Sequence, residues 1–186
     1  MKLEIMQRTA DKKKEANRLR REGRIPAIVY GHQGQGEKIS VLKAQFKAIM
    51  AHVTPGHLPT TIFELVDEKG VVRRAIVKEI QYDPTSYEVD HLDFEELKDN
   101  VPINIKVPIE LTGLMNCRGV REGGVPRQVI RHLKVRCLPK AIPSHFELDV
   151  TDLGIADTRR LSDLGIPAEI RARANLNEVA VVIVKR

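Results

Sequence analysis

The fold is decided by residues 60–94, which read TTIFELVDEKGVVRRAIVKEIQYDPTSYEVDHLDF. TIFELV and VVRRAIVKEIQ are typical of strands, and DEKG between them, at 67–70, is typical of a turn with glycine at its last position. YDPTS at 82–86 predicts a second turn, and YEVDHLDF at 87–94 predicts another strand. The segment therefore predicts a hairpin followed by a further strand.

Upstream of this segment the sequence predicts further strands and two helices. The alternating residues Lys2–Met6, the apolar stretch RIPAIVY at 24–30 and the alternating stretch EKISVLK at 37–43 are typical of strands. KKKEANRLRRE at 12–22 favours a helix that stops at the glycine after it, and KAQFKAIMA at 43–51 favours a second helix with an apolar side. We therefore expect a small mixed domain dominated by antiparallel strands.

The second half of the chain predicts a separate β domain. The polar run FEELKDN at 94–100, with Pro102 close behind it, is typical of a boundary, so we predict domains at 1–97 and 98–186. Strand candidates follow at VPINIKVPIEL, VPRQVI, HLKVRCL, HFELDV, AEIRARA and EVAVVIV, with GVREGGV as a turn after the first of them. Short strands separated by glycine and proline turns favour an all-β or nearly all-β domain.

Composition excludes several classes of protein. The chain has 186 residues, a formal net charge of +6, 42% apolar and only 4% aromatic side chains, and this apolar share excludes wholesale disorder. No run approaches about 18 consecutive apolar residues, which predicts no membrane span. MKLEIMQRTADKKK lacks the features of a secretory signal. Two cysteines are too few for a disulfide framework, so we expect reduced thiols and a cytoplasmic protein.

The motifs of enzymes and of metal sites are missing from the sequence. The glycines at 31–36 form GxxGxG, which matches neither a dinucleotide-binding nor a phosphate-binding loop. Cys117 and Cys137 are far apart in sequence, with no CxxC pair, and no serine or cysteine stands in a nucleophile turn. We therefore predict a protein without catalytic residues, cofactor, metal ion or small-molecule substrate.

Basic side chains are concentrated in the predicted helix at 12–22 and just after it. Seven lie between Lys12 and Arg24, whereas Ala16 and Leu19 are the only apolar side chains there and share one narrow face. Most of this helix must therefore point to solvent or to a partner. Composition leaves two interpretations open, a solvated helix face balanced by its own glutamates or an electrostatic footprint for nucleic acid.

The strand at 87–94 predicts a second polar feature. Because side chains alternate across a strand, Leu92 and Phe94 face the core and His91 and Asp93 are presented together on the outside. A donor and an acceptor at this fixed spacing suit base edges or ribose hydroxyls in a shallow RNA minor groove, although an ordinary exposed polar pair has the same pattern. Aromatic residues are scarce, which favours a structured, helical RNA over a stacked single strand.

The chain resembles a known family along nearly its whole length. RTADKKKEANRLRREGRIPAIVYG and IQYDPTSYEVDHLDF resemble the N-terminal domain of the bacterial large-subunit ribosomal protein of the CTC (general stress protein) family. VPIELTGLMNCRGVREGGVPRQVIRHLKVRCLPKAIPSHFELDVTDL resembles the C-terminal β domain of its longer members. One departure is KKKEA, where many members have a Gly-Lys-Gly loop.

The resemblance implies a mainly β fold with some α structure. Its N-terminal domain is a six-stranded β-barrel with flanking helices, similar to the anticodon-binding domain of glutaminyl-tRNA synthetase. The resemblance also implies that this domain binds 5S rRNA in the minor groove of the loop E region. The site lies in the central protuberance of the large ribosomal subunit, among neighbouring ribosomal proteins and rRNA. The competing interpretation is a stress-related protein-interaction module with only incidental RNA affinity.

The resemblance also implies a set of RNA-binding residues. The family's RNA-contacting arginines, its tyrosine at the end of the apolar strand and its His-x-Asp pair match Arg8, Arg20, Tyr30, His91 and Asp93. We expect these side chains to make the geometry-specific contacts. The other cations expected to contact phosphates are Lys12, Lys13, Lys14, Arg18, Arg21 and Arg24.

Overall fold

The computed structural model describes residues 1–8, 13–31 and 36–185. The chain divides into a first unit, Met1–Val101, and a second unit, Pro102–Arg186. The boundary predicted after residue 97 lies a few residues before this division, within the polar segment that follows the last strand of the first unit.

Among the described residues, six strands of the first unit close into a β-barrel. The strands are β1 (Lys2–Gln7), β2 (Arg24–Tyr30), β3 (Gly36–Leu42), β4 (Ile62–Val66), β5 (Val72–Tyr82) and β6 (Val89–Glu96). They follow the order β1-β3-β2-β6-β5-β4 around the barrel, and β4 pairs with β1 to close it. The pairs β1–β4 and β2–β6 are parallel, and the others are antiparallel. The predicted six-stranded barrel is confirmed.

Two helices flank the barrel. Helix α1 covers Lys13–Arg21 and helix α2 covers Lys43–His52, close to the predicted ranges. On α2 only Phe46 is fully buried, and its ring stacks at 6.3 Å from that of Phe63 inside the barrel. Within the described residues no helix has both the length and the apolar character needed to span a bilayer.

The barrel core is built from the inward side chains of the alternating strands. Phe63 meets Phe94 edge to face, with ring centroids 6.0 Å apart, the kind of geometry that aromatic pairs prefer. Leu92 and Phe94 are both fully buried. The predicted inward face of the strand at 87–94 is therefore correct, and its outward positions are free to carry other chemistry.

A polar network lies between strands on opposite sides of the barrel. Arg73 on β5 donates a hydrogen bond through Nη1 to the carboxylate of Glu37 on β3, and Nε2 of Gln7 on β1 donates to the same carboxylate at 2.6 Å. The hydrogen bond from Arg73 is the main cause that holds the pKa of Glu37 below its ordinary value. The network therefore ties three barrel strands together through one carboxylate.

The described part of the second unit contains two sheets, one short α-helix and three 3-10 turns of three residues each. Its strands are β7 (Ile103–Thr112), β8 (Gly124–Gln128), β9 (His132–Cys137), β10 (Phe146–Asp149), β11 (Thr158–Arg160), β12 (Arg171–Ala172) and β13 (Val179–Lys185), and its helix is α3 (Arg118–Arg121). The sheets have the orders β10-β7-β9-β12 and β11-β13-β8. The expected β domain is confirmed, although the strand predicted at 168–174 is reduced to β12, and β11 had no sequence signal.

The glycine-rich stretch predicted as a turn begins as helix α3. Gly119 lies in α3, where an added Cβ would approach within 2.8 Å of the backbone of Gly154. This close approach is the physical reason for a glycine there. The turn itself comes later, at Gly123, which has a φ of +90°.

Both cysteines are free and buried, and neither takes part in a disulfide. Sγ of Cys117 donates to the carbonyl oxygen of Leu153 at 3.3 Å. Burial raises the pKa of the Cys137 thiol, which keeps it protonated and unreactive. The sequence predicts reduced thiols, and both cysteines are free in the structure.

Glu37 gives the barrel a stability that depends on pH. Because the folded pKa is lowered, the stabilisation is complete above about pH 4.3, the ordinary glutamate value, and is lost as the pH falls through the lower folded value. We expect Glu37→Gln to lower the free energy of unfolding by about 1 kcal/mol at pH 7 and by clearly less at about pH 3. Urea denaturation at the two pH values measures the difference. The matched control is Glu68→Gln, in the exposed turn after β4, and an equal deficit for Glu37→Gln at both pH values would contradict the assignment.

Candidate nucleic-acid interface

Helix α1 presents an exposed row of basic side chains. Lys14, Arg18 and Arg21 are exposed, and Leu19 packs against the barrel with 8% exposure. Nε of Arg18 lies 3.4 Å from the carboxylate of Glu22, a surface pair that contributes little to stability. The predicted narrow apolar face is correct, so most of the charge on α1 points away from the core.

Two of the predicted basic residues fall at the edge of what the structure describes. Lys12 lies outside the described residues. Lys13 is the first residue of α1, and its side chain is not among those described. The remaining cations therefore form the described part of the interface.

Arg20 is the side chain that fixes α1 to strand β6. Its Nη2 donates to the carboxylate of Asp90 at 2.8 Å and to the Asp90 carbonyl oxygen at 3.1 Å. Its Nη1 donates to Oδ1 of Asn17 at 3.0 Å. A planar guanidinium held by several acceptors has a defined orientation. Arg20 is thus held against β6 at Asp90, the residue before His91.

Arg8 and Arg24 both contact strand β3. Nε of Arg8, just after β1, donates to the carbonyl oxygen of Ile39 at 3.1 Å. Nε of Arg24, at the start of β2, donates to Oγ of Ser40 at 3.0 Å. Ser40 is 2% exposed. Both guanidinium groups therefore lie over the outer side of β3, with other N–H groups left to reach a partner.

Strand register brings the outward side chains of β3, β2 and β6 into rows. Ile28 on β2 is opposite Lys38 on β3 and opposite Asp93 on β6. Adjacent strands are about 4.8 Å apart, so Lys38 and Asp93 belong to one short row. Tyr30 follows on β2, paired with Glu95, and is 37% exposed. We call this outer surface of β3, β2 and β6 the recognition face.

His91 and Asp93 lie together on the recognition face, as the alternation predicts. Nδ1 of His91 is 2.9 Å from Oδ1 of Asp93, and the two side chains are 18% and 20% exposed. The contact lacks the alignment of a hydrogen bond, so the buried Oδ1 of Asp93 has no hydrogen-bond partner among the described residues. About four-fifths of each side chain is therefore covered by the protein, which restricts the movement of both.

The turn between β5 and β6, which leads into the recognition face, is held by hydrogen bonds to Asp83. Oδ1 of Asp83 accepts hydrogen bonds from the backbone N–H groups of Thr85 and Ser86, each at 2.8 Å, and these bonds, with that from Ser86 the largest, lower the pKa of Asp83. Tyr87 has a φ of 56° and is 81% exposed. The predicted strand therefore begins later than residue 87, at Val89, and Tyr87 belongs to the turn.

A shallow cavity of about 130 Å³ separates this turn from α1. Its charged lining residues are Arg20, Arg24, Lys43, Asp83, Glu88 and Asp90. The sequence did not point to Asp90 or Ser40, because their importance arises from arginines distant in sequence. The only sequence pattern that concerned these two residues was the alternation of side-chain direction along β6 and β3.

These features define a two-domain β protein with a basic helix beside a shallow polar face, a surface suited to nucleic acid. The Ribosomal L25p family model matches residues 3–94, and the model for the C-terminal domain of ribosomal protein TL5 matches residues 102–186. The large ribosomal subunit proteins bL25 of Chlamydia pneumoniae and Chlamydia abortus are 41% and 43% identical to the chain, and each alignment covers 100% of both proteins. The chain belongs to the bL25 (L25p) family of large-subunit ribosomal proteins.

Family membership confirms two predictions from the sequence. The resemblance to the long, two-domain ribosomal proteins is correct, since both halves match in the expected order. The family consists of structural ribosomal proteins and not of enzymes, which agrees with the missing catalytic motifs.

The contact between Arg20 and Asp90 should control how firmly α1 is held. We expect Asp90→Asn to weaken this attachment by roughly 1 kcal/mol or less, because both partners are partly exposed. Amide hydrogen exchange in α1 should then become up to about fivefold faster in the free protein. The control is Asp99→Asn, which removes the partner of Arg74 elsewhere in the unit. Unchanged exchange in α1 for Asp90→Asn would show that the carboxylate of Asp90 does not help to hold the helix.

Proposed function

We propose that this chain binds 5S rRNA in the minor groove of the loop E region, through helix α1 and the recognition face. It is then a structural constituent of the central protuberance of the large subunit, in the cytoplasm, beside other ribosomal proteins and rRNA. Membership of the bL25 family and the names of its relatives as large-subunit proteins support the ribosomal part. The observation that carries the RNA part is the clustering of Arg8, Arg20, Arg24 and the His91–Asp93 pair around one face.

Attraction of the RNA depends on α1. Lys14, Arg18 and Arg21 are exposed on one side of a short helix, and such clustered cations contact phosphates and release counterions. The strand β6 cannot supply this attraction, because seven acids lie between Asp83 and Asp99. We therefore assign long-range attraction of the RNA to α1 and short-range recognition to the strand β6.

The recognition face offers a wide minor groove the outer surface of three neighbouring strands. By strand alternation its centre lies at Pro26 and Ile28 on β2, of which Pro26 is buried and Ile28 is partly buried. Longer polar groups stand on either side, from β3 and from β6. A-form RNA presents ribose hydroxyls and base edges in a shallow minor groove, which a gently curved sheet surface can approach closely.

The His91–Asp93 pair supplies the geometry-specific contacts. Although the contact is not an aligned hydrogen bond, the negative charge of a carboxylate oxygen 2.9 Å from Nδ1 favours the tautomer with the proton on that nitrogen, which leaves Nε2 of His91 as the acceptor of the ring. An acceptor in the minor groove can take a hydrogen bond from the guanine amino group or from a 2′-hydroxyl. Asp93 thus acts as a positioning residue for His91, and the exposed part of its own carboxylate adds a second acceptor.

Substitution of the pair should reduce discrimination between RNAs. We expect His91→Ala and Asp93→Asn each to weaken binding to 5S rRNA by roughly tenfold or more, the cost of a lost base-edge or ribose contact. Binding to a duplex RNA without loop E should change by less than about twofold, because phosphate contacts dominate there. Chemical footprinting and filter binding on the two RNAs measure this.

Matched controls keep the test specific. His52→Ala, at the exposed end of α2, and Asp152→Asn, exposed in the second unit, change the same residue types away from the face. Both should bind 5S rRNA like the unchanged protein. Equal losses on both RNAs for His91→Ala and Asp93→Asn would refute recognition by the pair, and protection of 5S rRNA outside loop E would refute the proposed position.

The cations of α1 should determine the salt dependence of binding. We expect the combined Lys14→Gln, Arg18→Gln and Arg21→Gln protein to show a slope of log K against log salt that is shallower by roughly two, since each phosphate contact contributes about 0.7 to 0.9. Preference for 5S rRNA over the other duplex should be retained. An unchanged slope would contradict a phosphate-binding role for α1.

A further inference from the structure

The outer side of the sheet β10-β7-β9-β12 in the second unit carries an exposed group of cations. The strands alternate strictly, with Ile105 and Val135 turned to the core and basic residues turned outward. The outward cations are Lys106, Lys134, Arg136, Arg171 and Arg173, all exposed. We call these five residues the basic face.

Strand register places these cations directly beside one another. Lys106 on β7 is opposite Lys134 on β9, and Arg136 on β9 is opposite Arg171 on β12. The backbone N–H of Arg173 donates to the carbonyl oxygen of Lys134 at 2.8 Å, so the pairing of β12 with β9 extends by one residue and places Arg173 beside Lys134. With strands about 4.8 Å apart, the basic face forms two short rows across three strands.

Within the part of the chain that the structure describes, no acidic side chain is paired with the basic face. None of its five cations forms an ion pair with any other residue that the structure describes. The contact described for them is the hydrogen bond from Nη1 of Arg173 to Oδ1 of Asn104, at 3.2 Å. The nearest acid in sequence is the exposed Glu169, before β12, while Glu110 and Glu147 face each other on β7 and β10, at the other end of the sheet.

Such an arrangement is unfavourable for the isolated sheet. Like charges directly opposite each other on neighbouring strands repel and destabilise the pair. The registers of β7, β9 and β12 give the basic face two such pairs. A purely structural role for these side chains would favour alternating signs. The repulsion is removed when a dense array of negative charge lies on the face, because each cation then gains a counter-charge.

We propose that the basic face binds the phosphate backbone of a double-helical RNA, as a second RNA contact separate from the recognition face. Long lysine and arginine side chains on a sheet reach phosphates without reading bases. The face has no Phe, Tyr or Trp among its outward residues, so it lacks the stacking platform that single strands require. This contact does not depend on recognition of 5S rRNA by the barrel.

The test uses the full chain and a perfect RNA duplex that lacks any 5S rRNA sequence. Lys106→Gln, Lys134→Gln and Arg136→Gln are combined in one protein, and log K is measured against log salt. We expect the slope to become shallower by roughly two and the affinity near 0.1 M salt to fall by about tenfold. The melting temperature should not fall, since the substitutions remove cross-strand repulsion. A single Lys106→Gln protein should show about one third of the change in slope.

The matched control carries the same loss of charge on other surfaces of the second unit. It combines Arg127→Gln, Lys140→Gln and Lys185→Gln, all exposed and outside the basic face. We expect its affinity to stay within about twofold of the unchanged protein. Equal effects of the two triple variants would overturn the proposal and favour either diffuse charge or an acidic protein surface as the partner. Failure of 5S rRNA recognition would leave this comparison unaffected, because both variants keep the same barrel.

Discussion

The parallel pairing of β2 with β6 is the constraint on which the candidate interface depends. It sets Ile28 beside Asp93 and Tyr30 beside Glu95, and it brings the strand that follows α1 next to the strand that carries His91. Because α1 leads into β2 through a short turn, the same pairing brings Arg20 within reach of Asp90. If β2 and β6 were not neighbours, the basic helix and the His–Asp pair would belong to different surfaces.

Local sequence patterns identified the strands and the direction of their side chains, but not their neighbours. The alternation in residues 87–94 predicted that Leu92 and Phe94 are buried and that His91 and Asp93 share the outer side, and both statements are correct. The parallel pairs β1–β4 and β2–β6 join segments far apart in the chain, and no local pattern encodes such a pairing. The barrel itself was therefore available only from the resemblance.

The limits of sequence reasoning are clearest for the arginines. Composition could not decide whether the basic residues at 12–24 form a solvated surface or a binding surface. The structure separates them into two groups, with Arg20 and Arg24 held by Asp90 and Ser40 and Lys14, Arg18 and Arg21 exposed. The partners Asp90 and Ser40 are distant in sequence, so the distinction appears only in the folded chain. In the second unit, the strand predicted at 168–174 was too long, since β12 covers only Arg171–Ala172 and Arg173 extends it by one backbone hydrogen bond to Lys134.

The two basic surfaces are built for different kinds of contact. Around the recognition face, Arg8, Arg20 and Arg24 are each anchored by hydrogen bonds to β3 or β6, which fixes the guanidinium groups before any partner binds. Groups fixed in advance lose little conformational entropy on binding and favour one geometry. Among the described residues, Arg173 is the one cation of the basic face with such an anchor, so the other four side chains can adopt several conformations. Under the two proposals, specificity belongs to the barrel, and the second unit adds affinity that depends on charge and salt.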